Sequence, residues 1–328
     1  MSNTAVESFM RSQTRRWLLL LSLLPSLAVA RTFTLSPTAS VVGNLQVLVA
    51  NYEDTFAELG ERESLGYLEL VHANPDVDPW LPGDGTQVVL PTRYVLPSAP
   101  RQGIVINLAE FRLYYFKGDQ VETYPVGVGT SQNPSPLTKT QVTMRLESPT
   151  WYPPQSVRDE YAANGDPLPA KIPAGPENPL GPYALQLAEQ GYLIHGTNKQ
   201  FGIGMQVSHG CIRMYNEDIS RLVWEVGKGT AVSIVDEPVK LGVQGQELWI
   251  EVHSENQKLT PERTDRLWSD AERELEQIRQ RHPDVEIQRA LLEAAIEQAD
   301  GIPHRIGEVL DDRYAGESGG KTGKGREG

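Results

Sequence analysis

This sequence has little of several things that define protein classes. Its 328 residues include one cysteine, Cys211, and only 30 lysines and arginines against 43 aspartates and glutamates, which leaves a net charge of −13. One thiol cannot close an internal disulfide, and no CxxC or HExxH motif is present to bind zinc. The acidic balance repels a phosphate backbone, so we expect no nucleic-acid partner.

Long apolar runs are also missing, and the longest candidate lies near the N-terminus. Three arginines between positions 11 and 16 precede an apolar stretch that ends in Ala28-Val29-Ala30. This order predicts a cleavable signal peptide over residues 1–30. An uncleaved membrane anchor is the alternative, but residues 17–30 fall short of the roughly 20 residues that a span needs. We therefore expect export, and no integral membrane span in the mature form.

Export changes the meaning of the single cysteine. Cys211 lies in a glycine-containing stretch, two residues after His209 and sixteen after His195. An isolated cysteine is more often a small buried hydrophobe than a nucleophile. Exported proteins tend to use cysteines in pairs, however, so one retained thiol beside two imidazoles indicates chemistry. A histidine can take the thiol proton, and glycines let main-chain N–H groups approach an oxyanion.

Residues 41–92 form a first unit with a β-α-α-β pattern. A short strand is followed by a helix that Asp54 can cap and Gly60 can end, and then by a second helix at 65–72. A closing strand at 87–90 follows a Pro-Gly turn. The unit resembles a LysM module, which implies binding to the glycan strands of cell-wall polymers. A purely architectural role is the alternative.

Residues 101–236 change to a β pattern, in which runs rich in valine, isoleucine and tyrosine are separated by turns. One helix follows the cysteine, where Asn216 can cap it and its apolar residues fall on one face. A proline-rich segment, 149–182, is long for a compact domain, which indicates a lid or a binding loop. A plain surface loop stiffened by proline is the alternative.

Residues 237–312 predict an amphipathic helical extension, in which 248–252 alternates as a strand does, one helix begins at Thr260 and a second spans 284–299. Residues 313–328 are rich in glycine and charge and predict a disordered tail. Three histidines in the extension are scattered, and we interpret them as surface residues: His253, His282 and His304.

The residues around the thiol carry a specific resemblance. The pattern is His195-Gly196, then a gap, then Ser208-His209-Gly210-Cys211 and Arg213. It resembles the L,D-transpeptidase family with the YkuD-type catalytic domain, over roughly residues 101 to 236. The resemblance implies a mainly β fold, in which a YkuD-like β-sandwich with one supporting helix follows the small βααβ LysM-like domain and precedes a helical C-terminal region. The order of segments is similar to that of cell-wall transpeptidases of the Gram-negative periplasm, so we expect a periplasmic protein.

The same resemblance implies a peptidoglycan L,D-transpeptidase. Cys211, activated by His195, would attack the carbonyl of the L-centred third residue of a tetrapeptide stem, release D-alanine and form a thioester. The acceptor would be an amine, on another stem peptide or on a lipoprotein lysine. No cofactor or metal is implied, because peptide-bond exchange conserves the acyl energy. An L,D-carboxypeptidase that uses the same thioester and an inactive cell-wall-binding protein are the alternatives.

The remaining residues of the pattern have expected roles around this thioester. Backbone N–H groups near Gly210 and Cys211, with His209 alongside, are candidates for the oxyanion hole, in the loop backbone that also includes Gly196 and Ser208. Arg213 is a candidate for binding a carboxylate of the stem peptide. An ion pair of Arg213 with Glu217 or Asp218 is the alternative.

Overall fold

The computed structural model describes residues 31–36, 40–254 and 259–310. The predicted signal peptide, residues 1–30, and the predicted disordered tail, residues 313–328, lie outside the described residues. The described strands are β1 (Arg31–Thr34), β2 (Val41–Gly43), β3 (Gln46–Val49), β4 (Gln87–Leu90), β5 (Arg93–Val95), β6 (Gly103–Asn107), β7 (Arg112–Lys117), β8 (Gln120–Pro125), β9 (Val128–Gly129), β10 (Thr138–Glu147), β11 (Tyr183–Leu187), β12 (Leu193–His195), β13 (Gln206–Ser208), β14 (Ile212–Arg213), β15 (Ala231–Val235), β16 (Val239–Gln244), β17 (Glu247–Val252), β18 (Val285–Ile287) and β19 (His304–Val309). The described α-helices are α1 (Phe56–Glu63), α2 (Tyr67–Ala73), α3 (Gln155–Ala163), α4 (Asn216–Glu225), α5 (Pro261–Arg281) and α6 (Arg289–Gln298). The predicted mainly β class is confirmed.

The largest sheet has nine strands in the order β1-β8-β7-β6-β15-β10-β11-β12-β14. Most neighbours are antiparallel, but β15 pairs with β6 and β14 pairs with β12 in parallel. Helix α4 packs on this sheet because its apolar residues recur at helical spacing, and Ile219, Leu222 and Val223 are fully buried in the core. His195 is the last residue of β12, and Cys211 immediately precedes β14. The parallel pairing of β12 with β14 therefore connects the two parts of the motif.

The N-terminal unit has the predicted β-α-α-β order, with β3 and β4 paired around α1 and α2 and a core of its own. The predicted boundaries of the first helix were wrong. Thr55, not Asp54, caps α1, in a capping box with Glu58. Gly60 lies inside the helix, and Ser64 ends it in the left-handed conformation with φ of 52°.

The C-terminal region contains the helices α5 and α6, as predicted, and also a four-stranded sheet in the order β16-β17-β19-β18. Leu248 and Ile250 of β17 are buried against Leu267 and Leu275 of α5 in a core that is separate from that of the large sheet. The sequence predicted one strand here, at 248–252, so three strands of this sheet were missed. None of the described helices has both the length and the apolar content of a membrane span.

A buried charge cluster connects the C-terminal sheet to the large sheet. The Lys240 ammonium lies 2.7 Å from a Glu110 oxygen and 2.8 Å from a Glu251 oxygen, and it donates to Val95 O at 2.7 Å. Burial alone would lower the pKa of Lys240, but the two carboxylates outweigh burial and raise it. Glu110, Glu251 and His253 are close enough to share a metal ion, but the Lys240 ammonium already forms ion pairs with both carboxylates. The surface interpretation of His253 was wrong, because its side chain is 13% exposed and contacts Glu251 at 2.6 Å.

Candidate active site

His195 ends β12 and is almost fully buried, with 4% of its surface exposed. Its Nδ1 lies 2.6 Å from the carbonyl oxygen of Gly196. A carbonyl can only accept, so Nδ1 carries the proton and the neutral imidazole holds its lone pair on Nε2. Burial, together with the charge of Arg213, lowers the pKa of His195 to about 4, against the Gly196 hydrogen bond, which raises it. The imidazole is therefore neutral at pH 7 and can accept a proton.

The loop after His195 is fixed by the side chain of Asn216. Asn216 accepts from the Thr197 N–H at 2.9 Å and donates to the Thr197 carbonyl at 2.9 Å, so both main-chain groups of Thr197 are satisfied. A Cβ on Gly196 would lie 2.4 Å from the Asn216 Oδ1, which explains the glycine beside the histidine. The prediction that Asn216 caps α4 was wrong, because Tyr215 is the N-cap and the Asn216 side chain binds the histidine loop instead.

Cys211 is a free, half-buried thiol immediately before β14. Its Sγ donates to Gly191 O at 3.7 Å and accepts from the main-chain N–H of Leu193, the first residue of β12. Burial raises the pKa of the thiol, and the Leu193 hydrogen bond and Arg213 oppose that rise without cancelling it. Together with the neutral His195, this gives an uncharged thiol and imidazole at rest rather than an ion pair.

The backbone around the thiol is held by two serines. Ser208 donates to Cys211 O at 2.6 Å and accepts from the Gly210 N–H at 3.1 Å. Ser135, which was not among the predicted site residues, donates to Gly210 O at 2.8 Å and accepts from Gly129 N–H at 2.9 Å. Gly210 itself has φ of +102°, which favours glycine. The Gly210 N–H is thus already bonded, whereas no group in the described part of the chain accepts from the Cys211 N–H.

His209 lies in a different environment from His195. Its side chain is 34% exposed, and its Nε2 is 2.9 Å from an oxygen of Glu160, whose side chain is 50% exposed. Glu160 belongs to α3, in the proline-rich segment that the sequence predicted to be irregular. The segment is closed at its base, because Asn178 is fully buried and donates to Pro149 O at 2.7 Å. A helix from this segment therefore lies against the cysteine loop.

A pocket of about 510 Å³ adjoins His209. It is lined by Glu160, by residues 130–133 after β9 and by residues 206–209 before the cysteine. Among the described residues that line it, Glu160 is the only acidic one, and none is lysine or arginine. The other lining residues are uncharged apart from the imidazole, so the pocket is polar with one fixed negative charge.

Arg213 pairs with His195 in the parallel register of β12 and β14. Its Nε is buried without a hydrogen-bond partner, and burial lowers the pKa of the guanidinium against the opposing influence of Tyr161 on α3. The alternative ion pair with Glu217 or Asp218 is not present among the described residues. Asp218 instead accepts from Ser64 of the N-terminal unit at 3.1 Å. Arg213 is left with a buried donor that a ligand can satisfy.

Comparison with known proteins finds relatives of one family. The YkuD family, described as the L,D-transpeptidase catalytic domain, matches residues 101–234. The chain is 41% identical over 253 residues to "Probable L,D-transpeptidase YcfS" of Escherichia coli strain K12, a match that covers 73% of this chain and 79% of that protein. It is 42% identical over 236 residues to "Probable L,D-transpeptidase YbiS" of the same strain, covering 70% and 77%. The NMR structure of the catalytic domain of the Enterococcus faecium L,D-transpeptidase is 22% identical, with a TM-score of 0.33 over 42% of this chain and 99% of that one.

Proposed function

This chain belongs to the L,D-transpeptidase family and carries its YkuD catalytic domain, and we propose that Cys211 is the nucleophile and His195 the general base. The observation that carries the proposal is the hydrogen bond from His195 Nδ1 to Gly196 O, since it directs the basic lone pair to Nε2. The parallel pairing of β12 with β14 supports the proposal, because β12 ends with His195 and β14 begins immediately after Cys211. The lowered pKa of His195 keeps the base neutral at the pH of the reaction.

The proposed acylation begins with a neutral thiol. His195 Nε2 takes the Cys211 proton as Sγ attacks the carbonyl carbon of the third, L-centred residue of a tetrapeptide stem. The tetrahedral oxyanion takes a hydrogen bond from the Cys211 N–H, because the Gly210 N–H is already used by Ser208. The histidine then returns the proton to the departing D-alanine nitrogen, which leaves a thioester on Cys211.

Arg213 is the proposed binding group for the stem peptide. Its unpaired, buried Nε beside His195 supports this role, since a guanidinium forms short, oriented hydrogen bonds with a carboxylate. The thioester is then attacked by an amine of another stem peptide or of a lipoprotein lysine, which yields a 3-3 cross-link or an anchored lipoprotein.

The proposal extends to the flanking segments. We propose cleavage after residue 30 and a periplasmic location, with a LysM-like domain at 41–92, the catalytic domain at 101–236 and a C-terminal extension at 237–312. The βααβ order of β3, α1, α2 and β4 supports the first unit. The LysM-like unit either binds glycan or supports the catalytic domain, and a contact between the two supports the second role. Tyr215, four residues after the cysteine, donates to Leu65 O at 3.1 Å.

The test is incubation of the protein with tetrapeptide-containing muropeptides, with and without a lysine-ended acceptor, followed by mass spectrometry. Loss of D-alanine with a new cross-link is the expected result. Loss of D-alanine with addition of water would instead establish an L,D-carboxypeptidase. Unchanged muropeptides with retained wall binding would establish an inactive binding protein. Cys211→Ala should lose both reactions while its circular dichroism spectrum stays that of the parent, and surviving activity would refute the thiol mechanism.

A further inference from the structure

The contact between Glu160 and His209 has no evident role in holding the fold together. Both side chains are substantially exposed, and an exposed pair of this kind contributes little stability. Helix α3 has other anchors, since Val157 on its inner face is 5% exposed and Asn178 closes the segment at its base. Of the two carboxylate oxygens of Glu160, Oε2 contacts His209 and Oε1 has no protein partner in the described part of the chain.

Glu160 contacts a residue that is close in the sequence to the proposed thioester at Cys211. His209 is two residues from Cys211, so their Cα atoms are no more than about 7.6 Å apart. The pocket beside them has about 510 Å³, within the usual range of small-molecule sites. Its lining includes residues 206–209, which immediately precede Gly210 and Cys211, and Glu160 of α3, but no residue of β12.

The charge of the pocket selects the kind of group that enters it. A primary amine of the lysine type has a reference pKa of about 10.4 and reaches the enzyme as an ammonium ion. The one acidic side chain of the lining attracts that ion, and no lysine or arginine of the lining opposes it. Hydrogen bonds between an ammonium and a carboxylate are about twice as strong as neutral ones.

We propose that Glu160 is the residue that binds the ammonium group of the acceptor in the second half-reaction. This inference rests on the proposed function, because it requires the Cys211 thioester as the group that the acceptor attacks. The acceptor nitrogen forms the new C–N bond to the thioester carbon, and the C–S bond breaks. Of the two protons that the ammonium loses, one returns to the cysteine sulfur through His195 and the other passes to solvent.

Asp159 provides a matched control for Glu160. It is the preceding residue of the same helix, is exposed, and accepts from Gln155 at 2.6 Å rather than contacting His209. Glu160→Gln and Asp159→Asn therefore remove the same charge from the same helix at nearly the same place. Both variants are to be made in the full chain and acylated with a tetrapeptide stem.

The measurement is the KM for a lysine-ended peptide acceptor, with hydroxylamine as an acceptor that is uncharged at neutral pH. Glu160→Gln should raise the KM for the lysine acceptor about five- to tenfold, with a smaller change in the rate of D-alanine release and in capture by hydroxylamine. Asp159→Asn should keep the parental KM for both acceptors.

Two results would overturn the proposal while leaving the proposed function intact. The first is an unchanged KM for the lysine acceptor in Glu160→Gln. The second is an equal loss with hydroxylamine, which would mean that Glu160 only positions the cysteine loop. A parent enzyme that forms no thioester would instead overturn the proposed function, and the Glu160 proposal with it. Intact-protein mass after acylation distinguishes these cases.

Discussion

The two histidines that precede Cys211 in the motif lie in opposite kinds of surroundings. His195 is buried at the end of β12, with its Nδ1 bonded to Gly196 O and its loop held by Asn216. His209 is exposed, and its partner is a side chain on α3. The same residue type is thus a buried, neutral imidazole at position 195 and a solvent-accessible contact of Glu160 at position 209. Burial suits proton transfer from the thiol, and exposure suits the arrival of a second substrate.

The largest expected effect is the difference in the rate of D-alanine release between His195→Ala and His209→Ala. His195→Ala should slow D-alanine release by about 10²- to 10⁴-fold, the usual contribution of a general base. His209→Ala should slow it by less than about tenfold, since an exposed pair contributes about 1 kcal/mol or less. Single-turnover release of D-alanine measures both rates. The reverse ranking would exchange the proposed roles of the two histidines.

Asn216→Ala tests whether the position of His195 depends on the loop that Asn216 holds. The change removes both hydrogen bonds between the Asn216 side chain and Thr197, so the N–H and carbonyl of Thr197 are left unpaired. Each unpaired buried group lowers the free energy of unfolding by about 1–3 kcal/mol. Misplacement of His195 should lower the acylation rate constant about ten- to a hundredfold with little change in the KM for the stem peptide. Asn198→Ala is the control, because Asn198 lies in the same loop but is exposed and donates only to Glu177 O. Equal losses in both variants would show that Asn216 has no special role.

The comparison of the two sides also shows what the sequence could reveal. His195, Cys211 and the glycines beside them form a local pattern, and in the structure His195 ends β12 while Cys211 immediately precedes the adjacent strand β14. Asn216 was noticed, but as a helix cap, since its partner Thr197 is nineteen residues away and no local rule connects the two. Glu160 was missed because the prolines around α3 hide its helical stretch. Pro154, however, immediately precedes the helix, a position where proline is compatible with helix formation.

The missed strands of the C-terminal sheet have a different cause. β18 has only three residues, and β19 carries His304, Arg305 and Glu308 among its apolar residues, so neither shows a clear apolar run. Their stability comes from pairing with each other and with β17, whose residues lie far away in the sequence. Strand formation depends more on such partners than on intrinsic preference. Single-sequence patterns therefore predicted the helices of this region and not its sheet.

The pH dependence of acylation tests the protonation state of the buried His195. His195 must be neutral to accept the thiol proton, and burial lowers its pKa from 6.5 to about 4. The rate of D-alanine release should therefore persist below pH 6 and fall about tenfold per pH unit only below about pH 4, where the imidazole is protonated. Stopped assays with circular dichroism at each pH separate this loss from unfolding. The His209→Ala variant should keep the same acid limb, and a limb near 6.5 in the parent would mean that His195 is not buried as described.

The smallest expected effect concerns the contact between the N-terminal unit and helix α4. Ser64 donates to Asp218, in the first turn of α4, and both side chains are buried. Burial raises the pKa of Asp218 to about 7, and the Ser64 hydrogen bond opposes that rise. Ser64→Ala should lower the free energy of unfolding by about 1 kcal/mol at pH 8, where the carboxylate is charged and loses its donor, and by less at pH 5, where it is protonated. Urea unfolding at the two pH values measures the difference, with the exposed Ser156→Ala as the control. An equal loss at both pH values would show that the contact supports α4 by packing rather than through the charge of Asp218.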